Sequence, residues 1–377
     1  RGRVAVARAS LGEDPPMADP FRSHLPRRTF AGAAALAAGA AAAPALATVR
    51  QAGSDTIVGG GAHTFRVKHD FPRLPDRYTW QTTHNVAVDA AGNLYVIHEG
   101  RKEQKDHPAI FVFDPAGDFL RAFGSQFQGG GHGIEVRKEG NEEFLYVCAY
   151  QQVKAFAKLT LDGETVWYRK APMESGVYAP GEDTSTKASW NRQGFLPTNV
   201  AFLDDGGFLL ADGYGSFKIH RFDKDAKWVS CFGGAGDGKG TFNTAHGLWI
   251  DRREGRDPTI VVTDRAHDTL QIFSMDGTYK ETLTGFGLPA NIDTWKNLML
   301  VPELKACVTL LDETNQVVAQ LGRAVDRLGE IKDLRGQPDK WLPGQFVHPH
   351  DACFTPTGDI FVAEWVATGR VTKLERV

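Results

Sequence analysis

One short phrase recurs six times along the 377-residue chain and constrains its fold more than any other feature. Its clearest copy begins at Ala245 as AHGLWID, and after a polar turn it continues as IVVTDR, which ends at Arg265. An alternating segment, a turn and a β-branched segment predict two antiparallel strands. The other copies begin at His84, His132, Thr198, Ala290 and His350.

The spacing of the repeats predicts the fold class. Each phrase is followed by two further strand-like segments, so one repeat holds four strands over roughly 40 residues, which is typical of a β-propeller blade. The 41 glycines supply the turns that such short strands need. We therefore predict an all-β chain in which residues 80–377 form one six-bladed β-propeller. Two polar insertions, 170–195 and 323–346, interrupt the repeats.

The N-terminal region has the composition of an export signal. Arg27 and Arg28 precede an alanine-rich run and a small-residue cleavage site, a pattern that resembles a twin-arginine signal. We predict an upstream segment with a signal peptide over 1–47, a lead-in with a possible ring-closing strand over 48–79, and a periplasmic or secreted location. The alternative is a membrane anchor, but the run is shorter than the roughly 20 residues of a stable membrane span.

Charge and cysteine content exclude several classes of partner. The formal net charge of −3 provides no basic footprint for nucleic acid. The four cysteines lie in different repeats without CxxC spacing, so we interpret them as core residues rather than as a disulfide framework or metal ligands.

The register of the repeats predicts a metal site. The first strand of each blade lines the central channel, and four of the six phrases place histidine there: His84, His132, His246 and His350. The last three lie on alternate blades, roughly 120° apart, and would form the open three-histidine site that catalytic zinc uses. Iron and manganese remain alternatives, as does a purely local role for histidine at the start of a strand.

The next position along the first strands is rich in oxygen ligands. It reads Asn85, Gly133, Asn199, Gly247, Asn291 and Asp351. Carboxylate and amide oxygens suit Ca²⁺, with Asp351 as the best ligand, although Asn and Asp also favour turns.

The second strands run antiparallel to the first, so their ends return to the histidine face. Tyr214 and Arg265 follow two of these strands, and Glu99 and Arg101 follow another. A phenol beside a metal and an arginine can serve as a general base, because both cations lower its pKa.

Several of these residues lie in motifs that resemble those of a known enzyme family. The motifs around Tyr214, His246 with Arg265, and His350 with Asp351 resemble the peptidyl-α-hydroxyglycine α-amidating lyases, six-bladed propellers of NHL-type repeats. The resemblance implies Zn²⁺ on His132, His246 and His350, Tyr214 as the base supported by Arg265, and a structural Ca²⁺ near Asp351. It also implies cleavage of the N–C bond of a peptidyl-α-hydroxyglycine, or of a small-molecule carbinolamide, to release glyoxylate and an amide.

Two residues depart from the pattern of that family. Glu99 stands where the family has a substrate-binding arginine, and Arg101 follows two residues later. The family has no counterpart of His84, which is a fourth ligand, a proton shuttle or, as we favour, a packing or supporting residue.

Two other functions fit the same sequence. A calcium-dependent propeller hydrolase of lactonase type would use the oxygen ligands, and a non-catalytic NHL-repeat binding module would use the histidines for a structural metal. The fold alone does not choose among these three, because propellers host many functions.

Overall fold

A computed structural model describes residues 50–52, 55–69, 71–101 and 103–377 of the chain. The predicted signal peptide, 1–47, lies outside the described residues. The described part is almost entirely β-structure, and none of its helices is long and apolar enough to cross a membrane.

Six β-sheets contain the 26 strands of the described chain. Three strands precede the repeats: β1 (Arg50–Ala52), β2 (Asp55–Gly60) and β3 (His63–Lys68). Blade 1 contains β4 (Thr83–Val88), β5 (Leu94–His98), β6 (Ile110–Phe113) and β7 (Phe119–Phe123). Blade 2 contains β8 (Gly131–Glu139), β9 (Glu142–Ala149), β10 (Ala155–Thr160) and β11 (Thr165–Arg169). Blade 3 contains β12 (Asn199–Phe202), β13 (Phe208–Ala211), β14 (Lys218–Phe222) and β15 (Trp228–Gly233).

The remaining blades follow the same plan. Blade 4 contains β16 (Ala245–Asp251), β17 (Thr259–Asp264), β18 (Thr269–Phe273) and β19 (Tyr279–Thr284). Blade 5 contains β20 (Asp293–Trp295), β21 (Leu298–Glu303), β22 (Cys307–Leu311) and β23 (Val317–Leu321). Blade 6 contains β24 (Pro349–Phe354), β25 (Ile360–Glu364) and β26 (Arg370–Arg376). The prediction of an all-β, six-bladed propeller is confirmed.

The ring is closed by strands from the two ends of the described chain. The sheet of blade 6 has the order β1-β2-β3-β26-β25-β24, so β3 pairs antiparallel with β26, with Lys68 opposite Lys373. Segment 65–68 of the lead-in belongs to this closing strand. This pairing covers the edges of β3 and β26, which would otherwise be open to other chains.

Hydrophobic clusters fill the space between each pair of neighbouring blades. The central strands β5, β17 and β25 are buried on both faces, which is why their sequences are nearly continuous apolar runs. Phe111 and Phe361, for example, belong to the cluster between blades 1 and 6. All four cysteines are free, and Cys148 and Cys307 are buried.

The two insertions pack against the propeller. Segment 170–195 contains no strand and is anchored by Tyr178, whose hydroxyl lies 2.7 Å from Nε2 of His220, and by a buried ion pair of 2.6 Å between Lys154 and Glu182. Segment 323–346 contains α1 (Val325–Glu330). Short 3₁₀ helices occupy Ser125–Phe127, Met173–Ser175, Arg265–His267, Leu334–Gly336 and Pro338–Lys340.

The first strands of four blades contain a local irregularity. The pairing register shifts at the histidine phrase in β4, β8, β16 and β24, whereas β12 and β20, which have no histidine in that phrase, pair with their neighbours without a shift. Such bulges redirect side chains at the rims of sheets. In blade 4 the N–H of Gly247 donates to Thr263 Oγ1 at 2.7 Å, which satisfies the displaced backbone.

Candidate metal centre

Four histidines from four blades meet on the channel axis. Each is at most 2% exposed. The ring centroid of His132 lies 4.7 Å from that of His84, 4.8 Å from that of His246 and 4.9 Å from that of His350. The His350 ring lies 4.6 Å from His84 and 4.7 Å from His246. The structure therefore brings together the three predicted ligands and, beside them, His84.

Backbone carbonyls fix the tautomers of three of these histidines. Nδ1 of His132, His246 and His350 each contacts a carbonyl oxygen, at 2.8, 2.6 and 3.1 Å. A carbonyl only accepts, so each Nδ1 carries the proton and each Nε2 keeps a lone pair. This is the arrangement in which metal-binding histidines are usually held. The three carbonyls belong to Thr198, Ala290 and His84.

The lone pairs of the cluster fit a cation. Nε2 of His132 and Nε2 of His246 face each other at 3.2 Å although neither carries a proton in these tautomers. Nε2 of His350 is buried and has no hydrogen-bonding partner in the described part of the chain. Buried acceptors of this kind are costly unless something satisfies them, and a divalent metal would do so.

Burial keeps the histidines in the form that binds metals. Desolvation lowers the pKa of His84, His132, His246 and His350, and neighbouring positive groups such as Arg265 add to the effect. The imidazoles are therefore neutral at pH 7, as metal coordination requires.

A glycine allows the close approach of blades 4 and 5 at this site. A Cβ at Gly247 would lie 2.6 Å from the carbonyl oxygen of Ala290, the same oxygen that accepts from His246. A larger residue would push the two first strands apart and would break the contact that orients His246.

Tyr214 and Arg265 lie directly beside the cluster, as the register predicts. The Tyr214 hydroxyl donates to Nε2 of His246 at 3.0 Å, and it lies 3.4 Å from Nε2 of His132. Arg265 Nη1 donates to the same hydroxyl at 2.9 Å. Burial raises the pKa of Tyr214, whereas Arg265 acts in the opposite direction. A cation on the histidines would add to the effect of Arg265 and favour the phenolate.

The residues that depart from the family pattern lie on the side of blade 1. Glu99 Oε2 is 3.4 Å from Nε2 of His84, and Gln151 Nε2 donates to Glu99 Oε1 at 2.6 Å. Burial opposes ionisation of Glu99, but the contacts with His84 and Gln151 outweigh it and lower the pKa of Glu99. Arg101 is exposed, and its backbone N–H donates to Gln128 at 2.8 Å.

The tightest set of possible ligand atoms is not the predicted trio. Ring nitrogens of His84, His132 and His350 all lie within 4.8 Å of one another. His246 joins this set through its contact of 3.2 Å with His132. The centre is thus a group of four histidines.

Aromatic residues surround the approach to the cluster. Tyr150 is buried, and its ring centroid lies 5.2 Å from that of Tyr214. Trp190, from the insertion 170–195, is 54% exposed, and its ring lies 5.6 Å from Tyr214 and 6.1 Å from Tyr150. Arg335, from the insertion 323–346, stacks on Trp365 at 3.6 Å, and its charge helps to lower the pKa of His84. Both insertions therefore contribute side chains near the histidine face.

A second polar cluster lies farther along the first strands. Asp351 Oδ1 accepts from Asn291 Nδ2 at 2.6 Å, and Asn291 Oδ1 accepts from Asn199 Nδ2 at 2.7 Å. Asn199 Nδ2 also lies 3.4 Å from Oε1 of Glu135. Asp293 lies nearby, and Glu135, Asp293 and Asp351 all line one pocket of about 390 Å³.

Among the described residues, none forms an ion pair with Glu135, Asp293 or Asp351, although Lys138 lines the same pocket. Desolvation, followed by the charges of Asp351 and Asp293, raises the pKa of Glu135 well above its usual value. Desolvation also raises the pKa of Asp351, and it raises the pKa of Asp293 to about 7. The donors are all oxygens, which fits a hard cation such as Ca²⁺.

Sequence reasoning missed Glu135 and Asp293, although a signal was present. Both occupy the fourth position of the repeated phrase, which reads Ala87, Glu135, Ala201, Trp249, Asp293 and Cys353 around the ring. Because side chains alternate along a strand, this position faces the same side as the second position, where Asn199, Asn291 and Asp351 lie. Reading the register two residues further would have added both carboxylates.

Comparison with known proteins gives one clear sequence relative. Peptidyl-alpha-hydroxyglycine alpha-amidating lyase 1 of Drosophila melanogaster is 24% identical over 351 residues, and the match covers 79% of this chain and 60% of that protein. The chain resembles the amidating lyases. This similarity confirms the resemblance seen in the motifs and supports a place for the chain among propeller enzymes. No protein-family model matches it.

Solved structures agree with the fold. A streptogramin B lyase superposes with a TM-score of 0.50 at 12% identity, covering 82% of this chain and 97% of that chain. Virginiamycin B lyase from Staphylococcus aureus superposes with a TM-score of 0.50 at 11% identity, covering 83% and 100%. At these identities the likeness shows the fold alone. The amidating-lyase relative is longer, since the match spans 60% of its length.

Proposed function

We propose that this chain is a metal-dependent lyase that cleaves the N–C bond of a peptidyl-α-hydroxyglycine or a similar carbinolamide, releasing glyoxylate and an amide. The position of the Tyr214 hydroxyl carries the proposal, because it lies 2.9 Å from Arg265 Nη1 and 3.0 Å from Nε2 of His246. A phenol between a fixed cation and a metal-binding cluster is suited to remove a proton from a substrate hydroxyl. The similarity to an amidating lyase supports the same reaction class.

The histidines would hold the metal. His132, His246 and His350 have neutral rings with Nε2 lone pairs directed into the cluster, which fits Zn²⁺ or another divalent first-row metal. When bound, such a metal supplies a Lewis acid for the substrate hydroxyl oxygen.

The side chains of the rim account for the proton transfers. Ionised Tyr214, stabilised by Arg265, accepts the hydroxyl proton of the carbinolamide. The oxygen electron pair then forms the C=O bond of glyoxylate while the C–N bond breaks and its electron pair stays on nitrogen. Tyr214 returns the proton to that nitrogen, so the reaction needs no oxidant or reductant.

The second cluster and the N-terminal segment complete the proposal. Glu135, Asp293 and Asp351 would hold a structural Ca²⁺, with Asp351 nearest to the histidines in sequence. The twin-arginine pattern at Arg27 and Arg28 supports export to the periplasm or beyond.

Metal analysis followed by an activity assay tests the function. We expect about one transition metal per chain in protein purified without chelators, and none in a His132→Ala/His246→Ala/His350→Ala variant. The metal-loaded protein should release glyoxylate from an N-acyl-α-hydroxyglycine, and Tyr214→Phe should keep the metal but lose the activity. Equal metal content in the two proteins, or no glyoxylate from a metal-loaded protein, would reject the lyase.

A calcium-dependent hydrolase is the second candidate, because three carboxylates line a pocket of about 390 Å³. In that case hydrolysis of a lactone would depend on Ca²⁺ and would survive the triple histidine substitution. Loss of the carboxylates by Glu135→Gln and Asp293→Asn would abolish it.

A further inference from the structure

His84 differs from the other three histidines in how its ring is held. Its Nδ1 is buried and has no hydrogen-bonding partner in the described part of the chain, whereas Nδ1 of each of the others contacts a carbonyl oxygen. Its Nε2 lies 3.4 Å from Oε2 of Glu99. The polar contact of this ring is therefore made by Nε2 rather than by Nδ1.

Glu99 is positioned to fix the tautomer of His84. Gln151 Nε2 donates to one Glu99 oxygen at 2.6 Å, which leaves the other oxygen beside His84. A carboxylate accepts, so the proton of His84 belongs on Nε2 and the lone pair on Nδ1. Carboxylates hold metal-binding imidazoles in this way and raise their basicity.

His84 and Glu99, which both depart from the family pattern, therefore contact each other. His84 is the second residue of the first strand of blade 1, and Glu99 follows the second strand of the same blade. The register shift that turns the other three histidines toward the axis is also present at His84. A ring used only for packing would not need a carboxylate partner, and it would leave Nδ1 buried and unsatisfied.

We propose that His84 is a fourth metal ligand, bound through Nδ1 and oriented by Glu99. The proposal rests on the metal site of the proposed function and specifies its coordination. One ring nitrogen of His84 lies within 4.8 Å of ring nitrogens of His132 and His350. Four imidazoles would fill a tetrahedral Zn²⁺ site and leave no position for substrate. The working metal is therefore one that takes five or six ligands, such as Fe²⁺, Mn²⁺ or Co²⁺.

Co²⁺-loaded protein and X-ray absorption test this coordination. In the wild type we expect four imidazole ligands and the weak visible absorption of five- or six-coordinate Co²⁺. His84→Ala should show three imidazoles and bind Co²⁺ more weakly. Glu99→Gln should keep four imidazoles but weaken Co²⁺ binding by roughly 10- to 100-fold, since it removes only the orienting carboxylate. His63→Ala, which removes an imidazole from the distant closing strand β3, is the matched control.

The outcomes separate this proposal from the proposed function. An unchanged imidazole count and Co²⁺ affinity in His84→Ala would reject His84 as a ligand while leaving a three-histidine lyase intact. If His84→Ala does not fold, unchanged affinity in Glu99→Gln rejects the proposal instead. Four imidazoles without glyoxylate release would support the coordination and reject the lyase. Absence of metal binding in the wild type would reject both.

Discussion

The ionisation of Asp293 should lower the stability of the metal-free protein as the pH rises. Its carboxylate accepts from the backbone N–H groups of Thr294 and Phe354, at 2.6 and 2.7 Å, yet burial still raises its pKa from 3.8 to about 7. Well below its unfolded pKa of 3.8, the group is protonated in both the folded and the unfolded chain. Between pH 4 and 7 only the unfolded chain ionises, so the free energy of unfolding falls as the pH rises.

The size of the effect follows from the shift in pKa. Three pKa units correspond to about 4 kcal/mol, at 1.36 kcal/mol per unit. Asp293 lines a pocket of about 390 Å³ and its side chain is only half-buried, so solvent relieves part of this cost. We therefore expect the ionisation of Asp293 to lower the free energy of unfolding by roughly 2 kcal/mol by pH 8. A cation bound in the pocket at 100 times its Kd would return about 2.7 kcal/mol.

Denaturation of wild-type and Asp293→Asn protein in EDTA, from pH 4.5 to 8.5, measures this cost. The difference between the two proteins is informative because the buried histidines, whose pKa values are lowered, dominate the wild-type profile and cancel in the subtraction. Relative to the wild type, Asp293→Asn should gain about 2 kcal/mol across this range, on top of a constant loss from its altered backbone contacts. Glu142→Gln, which removes an exposed carboxylate, corrects for net charge. A difference that is flat or falls with pH would refute the reasoning.

Four further predictions concern the histidine face and its insertion. Tyr214→Phe should lower kcat by about 10²- to 10⁴-fold in a glyoxylate assay without loss of metal, because only the hydroxyl is removed. Arg265→Met should move the acidic limb of the pH–kcat profile to higher pH, since Arg265 lowers the pKa of Tyr214 and the ionised form is the base. Trp190→Ala should raise KM about fivefold with kcat unchanged, because its exposed ring offers about 1 kcal/mol of contact. Lys154→Met should destabilise the fold by about 3–5 kcal/mol in denaturation experiments, because it leaves the buried Glu182 carboxylate unpaired. Adding Glu182→Leu removes that carboxylate and should recover much of the loss.

The fold could be predicted because the same short repeat recurs in every blade, despite two insertions. Each blade contains the same strand pattern, so blade number and the channel-lining position follow from counting along the sequence. Tyr214 and Arg265 could be placed because antiparallel pairing returns the second strand to the face where the first begins. Both inferences use only periodicity and strand direction, which a single sequence contains.

The remaining features depend on contacts between blades or on irregular backbone. The contact of His84 with Glu99 accompanies a register shift in β4, which regular strand alternation does not predict. The approach of Trp190 to Tyr214 depends on how a 26-residue polar insertion is anchored. Such insertions have no periodicity, so their side chains can be placed only from the structure.

The proposed metal binding depends on blade 6, the blade at which the ring closes. His350 and Asp351 are the second and third residues of β24. The sheet of that blade is finished by β3, about 300 residues earlier in the chain, as the 307-residue separation of Lys68 and Glu375 illustrates. Pairings between such distant segments form late, since the chain must first lose much of its freedom. Both polar clusters include a residue of β24, so a cation held as proposed would need blade 6 in place. The metal content of a preparation would thus report the fraction of molecules with a closed propeller. Chelation would remove a stabilising contact from the blade at which the ring closes.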